Sequence, residues 1–318
     1  MTDYFSHNPD GPALVIGAAG IDMVGRLRSS ELRSNTSNPA RIRISFGGVA
    51  RNVAENLARL GQSVNLISAV GPDHDGDHLL EELELAGVNV QAVTRNPDRP
   101  TGTYLGVLDS HGDLQFALDD MRVIAGLTPA YLKENIELFE EASLLFVDAN
   151  LPKETLRTAI SLGRRAHLPI CADPATTALA SRLRPYLSRL FMVIPNINEA
   201  AVLCERSIET PRRRWAIETA KCLVGQGVEI AIISLGEAGV CYATSEISGQ
   251  IPAIRTEIVD PTGAGDAMAA AVIFALLNDI PIDDAIRLGV SSASLTLRYP
   301  GAVLPDLSLE KLYDHLVI

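Results

Sequence analysis

The segment DPTGAGD, at residues 260–266, combines two glycines, an acidic side chain and the start of a helical run. Gly263 and Gly265 allow backbone angles that other residues resist, and they place no side chain in the way of a ligand. The small residues that follow favour a helix, whose first N–H groups lack partners within the helix and carry partial positive charge. We therefore predict an anion hole at Gly263, Ala264 and Gly265, suited to the charge of a transferring phosphoryl group.

Asp266 lies in the first turn of this predicted helix, where a carboxylate can accept a proton from an attacking hydroxyl group. The alternative is structural, since an acidic residue near a helix N-terminus also acts as a cap. For an isolated GxGD pattern the structural interpretation is preferred. A dinucleotide-binding fingerprint fits poorly because Met268 occupies its third small position, and a Walker A loop is excluded because no Lys-Ser or Lys-Thr pair follows the glycines.

Composition restricts the classes of partner. The chain has 318 residues, of which 47% are hydrophobic and 21% charged, and its net charge is -12. These values are typical of a folded protein with a sizeable core. They argue against nucleic acids and anionic membranes as partners, because both require basic surfaces. A small anionic ligand stays open, since backbone N–H groups bind anions whatever the net charge.

Cysteine spacing and hydropathy indicate the compartment. The cysteines at 171, 204, 222 and 241 form no CxxC pair and no zinc-like spacing, so we expect reduced thiols. No basic stretch followed by an apolar stretch marks the N-terminal segment, and the longest apolar run, residues 267–277, is too short to span a bilayer. The sequence thus predicts a cytoplasmic protein.

Short apolar runs alternate with amphipathic segments along most of the chain. The strand-like runs are ALVIG (13–17), SVNLISAVG (63–71), ASLLFVDAN (142–150), HLPICADP (167–174), LFMVIPN (190–196), VEIAIISLG (228–236) and IRTEIV (254–259). Helical patterns include VARNVAENLARLG (49–61) and DHLLEELELAG (77–87). This alternation predicts a parallel sheet with helices on both faces, and ligands bind such sheets at the carboxyl ends of the strands.

Two segments depart from this alternation. RIRISFGG (41–48) alternates basic and apolar residues, and TGTYLGVLDSHGDLQFALDD (101–120) has the pattern of two strands joined by a turn at 109–113. We expect these segments to form a small accessory β-sheet. No linker, repeat or low-complexity tract is present, so the sequence predicts a single α/β domain over residues 1–318.

Two segments near opposite ends of the chain, GGVARNVAENLARLG (47–61) and DPTGAGD, resemble the two signatures of the ribokinase-like (PfkB) family of carbohydrate and nucleoside kinases. GAAGID near the start, NINE (196–199) and SLGEAG (234–239) extend the likeness over nearly the whole chain. Two signatures in the right order are far more specific than either alone. The resemblance implies a three-layer α/β/α core and a β-sheet lid, formed by roughly 22–46 and 101–121.

The resemblance also implies roles for the matching residues. Asp266 would be the catalytic base, beside the anion hole. Asp22 would hold sugar hydroxyls, because a carboxylate accepts two hydrogen bonds from a diol, and Gly47, Gly48 and Asn52 would line the same pocket. Without the resemblance, Asp22 would be interpreted as a turn residue after a strand, and Asn52 as a solvated helix position.

The nucleotide and its cations would occupy a second group of matching residues. Asn196 and Glu199 match the family's NxxE motif, and Glu199 would bind Mg²⁺ through water. They also fit a capping box at a helix start, and both interpretations can hold together. The loop that receives ATP matches Ser234, Gly236 and Gly239. A monovalent-cation site, for K⁺, matches Asp260, Thr262 and the backbone near Gly301.

Two departures from the family's ribose kinases bear on the acceptor. Gly20 stands where those enzymes usually carry Asn, and it leaves room for a larger substrate. Asn150 stands where they tend to carry Glu, and an amide suits a carbonyl-bearing base better than a carboxylate does, although a turn residue at a strand end is the alternative. Asn150, ALDDM (117–121) and the segments TSNPARIRISFGGVARNVAENLARLG and VDPTGAGDAMAA resemble the pseudouridine kinases of this family. The resemblance implies ATP-dependent phosphorylation of the 5′-hydroxyl of pseudouridine.

Other functions stay open from the sequence. A kinase of the same family for another sugar or nucleoside, such as ribose, adenosine or fructose, would share the catalytic residues. A non-catalytic nucleoside-binding protein would be favoured by loss of the base or of the NxxE pair, and both are present. Because exposed strands pair readily with other strands, we also expect a homodimer formed through the lid.

Two further segments invite other interpretations. GPDHDGDH (71–78) contains acidic residues and histidines, but it fits neither an EF-hand nor an HExxH site, so we expect Asp73 or Asp75 to cap a helix. Trp215, the only tryptophan, follows three arginines, and we interpret this segment as a solvated helix face.

Overall fold

The computed structural model describes residues 8–112, 114–210 and 212–316. The strands in these ranges are β1 (Ala13–Ile16), β2 (Gly20–Leu27), β3 (Ala40–Gly47), β4 (Val64–Val70), β5 (Val88–Asn89), β6 (Val93–Arg95), β7 (Gly102–Leu108), β8 (Leu114–Asp120), β9 (Leu144–Asp148), β10 (Ile170–Asp173), β11 (Met192–Val193), β12 (Ile230–Ser234), β13 (Val240–Ala243) and β14 (Ser248–Ile251). The helices are α1 (Val49–Arg59), α2 (His74–Leu85), α3 (Pro129–Glu134), α4 (Ile136–Glu141), α5 (Lys153–Arg165), α6 (Ile197–Leu203), α7 (Arg212–Gly225), α8 (Ala264–Leu277), α9 (Ile282–Leu297) and α10 (Leu309–Asp314).

A central, mostly parallel sheet organises the fold. Its strand order is β14-β13-β12-β11-β10-β9-β1-β4-β5, and β6 also pairs with β4. In this spatial order, each strand from β12 to β5 is parallel to its neighbours within that range. β13 and β14 are added antiparallel at one edge. β1, β4 and β9 consist of buried residues throughout, as expected for strands covered on both faces. The predicted α/β architecture is confirmed.

Helices cover both faces of this sheet. One core lies between the sheet and α1, α2, α8 and α9, and the other lies against α5, α6 and α7. Five of the nine buried residues of α8 are alanines, and α9 packs closely against this helix. A Cβ on Gly289 of α9 would lie 2.6 Å from Val272 of α8. No described helix is both long and apolar enough to pass through a membrane.

A second sheet of four strands, in the order β3-β2-β7-β8, forms the predicted lid. β2 is parallel to β7, whereas β3 and β8 are antiparallel to their neighbours. The register places Ile44, Met23, Leu105 and Leu118 side by side on the outer face. Ile44 and Leu118 are each 62% exposed. The lid therefore presents an apolar outer surface, while its inner face turns toward the core domain.

Two sequence interpretations are wrong. Residues 254–259 were expected to form a strand, but they are irregular, and the adjoining N–H groups of Val259 and Asp260 donate to Leu297 O. The hairpin of β13 and β14 occupies the sheet edge instead. Trp215 does not lie on a solvated face: it is 2% exposed, and its Nε1 donates to Ser207 O at 2.7 Å. The three arginines before it are exposed, and their charges led to the prediction of a solvated face, although the next residue is buried.

The start of α2 is held by Asp73, as expected. Its Oδ1 accepts from Gly76 N at 2.9 Å, which is an N-cap hydrogen bond. Its other oxygen accepts from Thr101 N at 2.7 Å, and the Thr101 hydroxyl also donates to Asp73. Because Thr101 immediately precedes β7, one carboxylate joins α2 to the base of the lid.

We expect Asp73→Ala to lower the free energy of unfolding by about 1–2 kcal/mol, because it removes the cap and the tie to Thr101. Urea titration followed by circular dichroism measures this loss. Asp75→Asn is the matched control, because Asp75 lies in the same helical turn without capping it. A comparable loss in both variants would contradict the assignment of the cap.

Candidate active site

A cleft of about 610 Å³ opens between the lid and the carboxyl ends of the central strands. Its walls bring together residues that are far apart in the sequence. Predicted site residues that line it are Asp22, Gly48, Asn52, Asn150, Asp260, Thr262 and Asp266. The lid contributes further walls through Val24, Tyr104 and Asp119. The parallel sheet explains this convergence, because the loops that follow its parallel strands all lie at the carboxyl edge of the sheet.

The GxGD segment forms the start of α8. Gly263 is the N-cap residue, with φ of 76°, and a Cβ there would lie 2.0 Å from Ala302 O. Both the backbone angle and the close approach require glycine. A Cβ on Gly265 would meet no atom within 4 Å, so this side of the helix N-terminus is open. The N–H groups of α8 thus lie where an anion can approach them, with Asp266 in the same turn.

Asp266 is held by a hydrogen bond from the facing helix. Asn52 Nδ2 in α1 donates to Asp266 Oδ2 at 2.7 Å. Solvent reaches the carboxylate through the cleft, although protein surrounds it on the other sides. Burial raises the pKa of Asp266 to about 7, the hydrogen bond from Asn52 opposes this, and the carboxylates of Asp22 and Asp148 add to it. A carboxylate with this pKa is suited to accept a proton near neutral pH.

Asp22 lies on the lid strand β2, not in a turn, and it is only 6% exposed. A Cβ on Gly47 would lie 2.2 Å from the Asp22 carboxyl group, so glycine at 47 makes space for that carboxylate. Burial raises the pKa of Asp22 to about 6, with Arg51 opposing the shift and Asp260 adding to it. The ionised group can accept hydrogen bonds from two hydroxyls in the cleft.

Asp148 is a buried carboxylate that the sequence analysis missed. It lies at the end of β9, and its oxygens accept from the N–H groups of Ala18 at 2.8 Å, Ala50 at 3.2 Å and Asn150 at 2.9 Å. These bonds join the loop after β1, the first turn of α1 and the loop after β9 at the carboxyl edge of the sheet. Its position two residues before Asn150, at the end of an apolar run, was the available signal.

Two cavities meet beside Asn150. The residue lines the 610 Å³ cleft and also an adjoining cavity of about 530 Å³, which includes Asp120 and Arg182. Asp119, at the end of the lid strand β8, lines both cavities as well. Polar side chains therefore stand at the junction of the two cavities.

The interpretation of Gly20 as space for a larger substrate is wrong. A Cβ at this position would lie 2.4 Å from Gly102 O, because β2 and β7 pair there. The absent side chain is therefore required by strand pairing in the lid. Gly20 also does not line the cleft.

The NxxE segment forms the start of α6. Asn196 caps the helix, and Glu199 Oε2 accepts from Asn196 N at 2.9 Å, which completes the expected capping box. Glu199 is 6% exposed, and burial raises its pKa. Asp173 at the end of β10 links this segment to the cleft. Burial raises the pKa of Asp173 well above its usual value, and the carboxylates of Asp266 and Glu199 raise it further.

The residues expected to receive ATP lie beside the NxxE segment but outside the 610 Å³ cleft. Ser234 ends β12 and pairs with Asn196, so the two segments adjoin. Gly236 has φ of 59° and open space around it. Gly239, with φ of 86°, turns the chain between β12 and β13, and a Cβ there would lie 2.1 Å from Ile251 O. The structure therefore explains Gly239 by the turn alone.

The acidic side chain proposed for K⁺ already has a cationic partner. Arg43 Nη1 of the lid strand β3 lies 2.6 Å from Asp260 Oδ2, and Thr262 N donates to the other oxygen at 3.0 Å. Asp260 is 4% exposed. Sequence reasoning missed Arg43, whose alternating position in β3 could have indicated an inward-facing charge. The ion pair links the lid directly to the loop that leads into α8.

Comparison with known proteins places this geometry in a family. The family model of the pfkB family carbohydrate kinases matches residues 12–308. The chain therefore belongs to the PfkB family. Kinases of this family are phosphotransferases that act on hydroxyl groups of sugars or nucleosides, and the protein is a phosphotransferase of this kind.

Individual relatives span nearly the whole chain. Pseudouridine kinase from Escherichia coli (strain K12) is 34% identical over 301 residues, which cover 93% of each protein. Guanosine-inosine kinase from Exiguobacterium acetylicum is 31% identical over 282 residues, covering 88% of this chain and 92% of the relative. Arabidopsis thaliana ribokinase complexed with ribose and ATP has the same fold, with a TM-score of 0.82, 20% identity, and coverage of 97% and 99%.

The raised pKa of Asp266 predicts a change in stability with pH. The folded-state pKa of Asp266 lies near 7, above its ordinary value of 3.8, so folding favours the protonated form. That contribution is complete below about pH 4 and is lost as the pH rises through 7. We therefore expect Asp266→Asn to be more stable than the wild type at pH 8, by at least about 1 kcal/mol.

Urea unfolding at pH 5 and pH 8 measures this difference, which should shrink toward the lower pH. Asp75→Asn is the matched control, since it removes an exposed carboxylate from another helix start. A stability gain that is equal at both pH values would contradict the burial of the Asp266 charge.

Proposed function

We propose that this protein is an ATP- and Mg²⁺-dependent kinase that phosphorylates the 5′-hydroxyl group of pseudouridine. One observation carries the proposal: a single cleft contains the buried carboxylate of Asp22 and, beside the open end of α8, the carboxylate of Asp266 that accepts a hydrogen bond from Asn52. The similarity to a pseudouridine kinase over 93% of both proteins supports the choice of acceptor.

The geometry supports a sequence of roles for the side chains. Asp22 accepts hydrogen bonds from the ribosyl hydroxyls and so fixes the sugar. The primary hydroxyl then points to Asp266, which takes its proton as the oxygen attacks. The N–H groups of residues 263–265 receive the charge of the transferring phosphoryl group. The lid covers the cleft and excludes water, which would otherwise compete as acceptor.

The nucleotide and its metal ion fit the second group of residues. Ser234, Gly236 and Gly239 belong to the loop proposed to receive ATP, next to Asn196. Glu199 and Asp173 provide the oxygen ligands that Mg²⁺ prefers, directly or through water. When bound, Mg²⁺ would neutralise phosphate charge. Arabidopsis thaliana ribokinase, which shares the fold and is complexed with ribose and ATP, supports ATP as the phosphoryl donor.

The junction of the two cavities supports a nucleoside rather than a free sugar. Asn150 and Asp119 stand where a base attached to the sugar would extend. The Asn150 amide can donate to a carbonyl oxygen, and the Asp119 carboxylate can accept from a ring N–H group. Pseudouridine offers both kinds of group. A purine nucleoside is the second candidate, because the guanosine-inosine kinase is nearly as similar to this chain.

Two associated expectations stay predictions. The K⁺ site would use Asp260, Thr262 and Gly301, although the charge of Arg43 at Asp260 reduces the need for a second cation there. A homodimer through the lid would cover the apolar outer face, including Ile42, which is 73% exposed.

An acceptor panel tests the substrate. We expect ADP release to be fastest with pseudouridine, slower with uridine, inosine and guanosine, and slowest with ribose or fructose, measured as kcat/KM. Asn150→Asp should lower kcat/KM for pseudouridine by about tenfold while changing that for ribose little, because only the nucleoside reaches the amide. A higher kcat/KM with ribose, fructose, adenosine or inosine than with pseudouridine would overturn the choice of acceptor.

Replacement of the proposed base tests the mechanism. We expect Asp266→Asn to lower kcat at least about a hundredfold, while the Kd of the nucleoside measured by calorimetry stays nearly unchanged. Asp75→Asn again serves as control. Nucleoside binding without ADP production by the wild-type protein would instead support the non-catalytic alternative.

A further inference from the structure

A buried cluster of charged side chains belongs to α1, the helix that carries Asn52. Arg51 and Glu55 are each 4% exposed and form an ion pair one helical turn apart. Arg59 pairs with the other oxygen of Glu55 at 2.5 Å and donates to Pro305 O. Buried charges are costly unless they are paired and useful, so this cluster requires an explanation. Neither Arg51 nor Glu55 lines the cleft.

Arg51 is bonded to the residue that holds Asp266. Its Nη1 donates to Asn52 Oδ1 at 3.0 Å and lies 3.4 Å from Phe46 O. Because the guanidinium group can only donate, it fixes the Asn52 oxygen on its own side. The Asn52 NH₂ group must then face Asp266, where it donates at 2.7 Å. Two sequential contacts thus determine which end of the amide meets the carboxylate.

We propose that Arg51 is a positioning residue for phosphoryl transfer: it orients the Asn52 amide toward Asp266 and holds a buried positive charge beside the cleft that contains Asp22 and Asp266. Glu55 holds the guanidinium group in place. This proposal rests on Asp266 being the base, and it holds for whichever acceptor the enzyme prefers.

The charges around Asp266 explain why such a cation is needed. The carboxylates of Asp22 and Asp148 raise the pKa of Asp266, and Asp266 in turn raises that of Asp173. Arg51 lowers the pKa of both Asp22 and Asp266, opposing the effect of burial. Arg43, which also lies near the cleft, pairs with Asp260 instead. Without the positive charge of Arg51, the pKa values of Asp22 and Asp266 would rise further, and both groups would stay protonated to a higher pH.

Kinetic comparison of Arg51→Met with Arg59→Met tests the proposal. Both variants remove one arginine from the Glu55 cluster, but only Arg51 touches Asn52. For Arg51→Met we expect kcat at pH 7 to fall about tenfold, with an increased KM for the acceptor and an unchanged KM for ATP. The pH at which kcat/KM reaches half its plateau should rise by about one pH unit. Arg59→Met should retain the wild-type values.

Arg51→Lys separates orientation from charge and also serves if the Met variant does not fold. A lysine keeps the charge but cannot bridge Glu55 and Asn52 together. We therefore expect a several-fold lower kcat with a nearly unchanged pH midpoint. Asn52→Ala should cost less in the Arg51→Met background than in the wild type, because both changes break the same connection. Each rate is divided by the folded fraction of that variant, measured by circular dichroism at each pH, before the variants are compared.

The outcomes separate this proposal from the assignment of the base. If Asp266→Asn keeps its rate, the base is misassigned, whatever Arg51 does. If Asp266→Asn is inactive while folded Arg51→Met or Arg51→Lys matches Arg59→Met in kcat and pH midpoint, Arg51 has only a structural role and the proposal is overturned.

Discussion

The contact between Asn52 and Asp266 is the interaction on which the site depends. It joins the first turn of α1 to the first turn of α8, so that two helix N-termini share one cleft. A carboxylate in the first turn of a helix would ordinarily stay ionised well below neutral pH, because the helix dipole favours its charge. Here burial and neighbouring carboxylates overcome that effect and raise its pKa to about 7. The same contact fixes where the proton acceptor lies relative to the anion hole.

A concentration of acidic groups follows from this arrangement. Asp22 lies on the lid strand β2, whereas Asp148 and Asp173 end β9 and β10 and Asp266 lies in the first turn of α8. Asp22 and Asp148 raise the pKa of Asp266, and Asp266 and Asp148 raise the pKa of Asp173. Repulsion among these carboxylates is unfavourable for stability, and perturbed pKa values of this kind are common at functional sites. Backbone N–H groups compensate Asp148 and Asp173, and Arg51 opposes the effect of burial on the pKa of Asp22 and Asp266. The lid is part of this balance, because its Arg43 pairs with Asp260, and Asp260 raises the pKa of Asp22.

Much of this could be predicted from the sequence. The alternation of apolar runs and helices indicated the parallel sheet, and the two separated glycine-rich segments indicated the kinase family. Prediction failed where local pattern and tertiary packing differ. The run IRTEIV alternates like a strand, but its neighbouring N–H groups are satisfied by the end of α9. Trp215 follows three exposed arginines, yet it fills the core behind them. Gly20 suggested space for substrate, whereas it accommodates the backbone of β7.

The sequence by itself determined the glycine positions and the helix starts, because left-handed backbone angles and capping are local properties. Gly263, Asn196 and Asp73 are of this kind. Only the tertiary structure decided which charges meet. The positions of Asp148 and Arg43 in their strands did not indicate their partners, which lie on other elements, and the role of Arg51 depends on its burial and on the contact that Asn52 makes with α8. Ionisation depends on burial and on distances through space, and neither is contained in the spacing of residues along the chain.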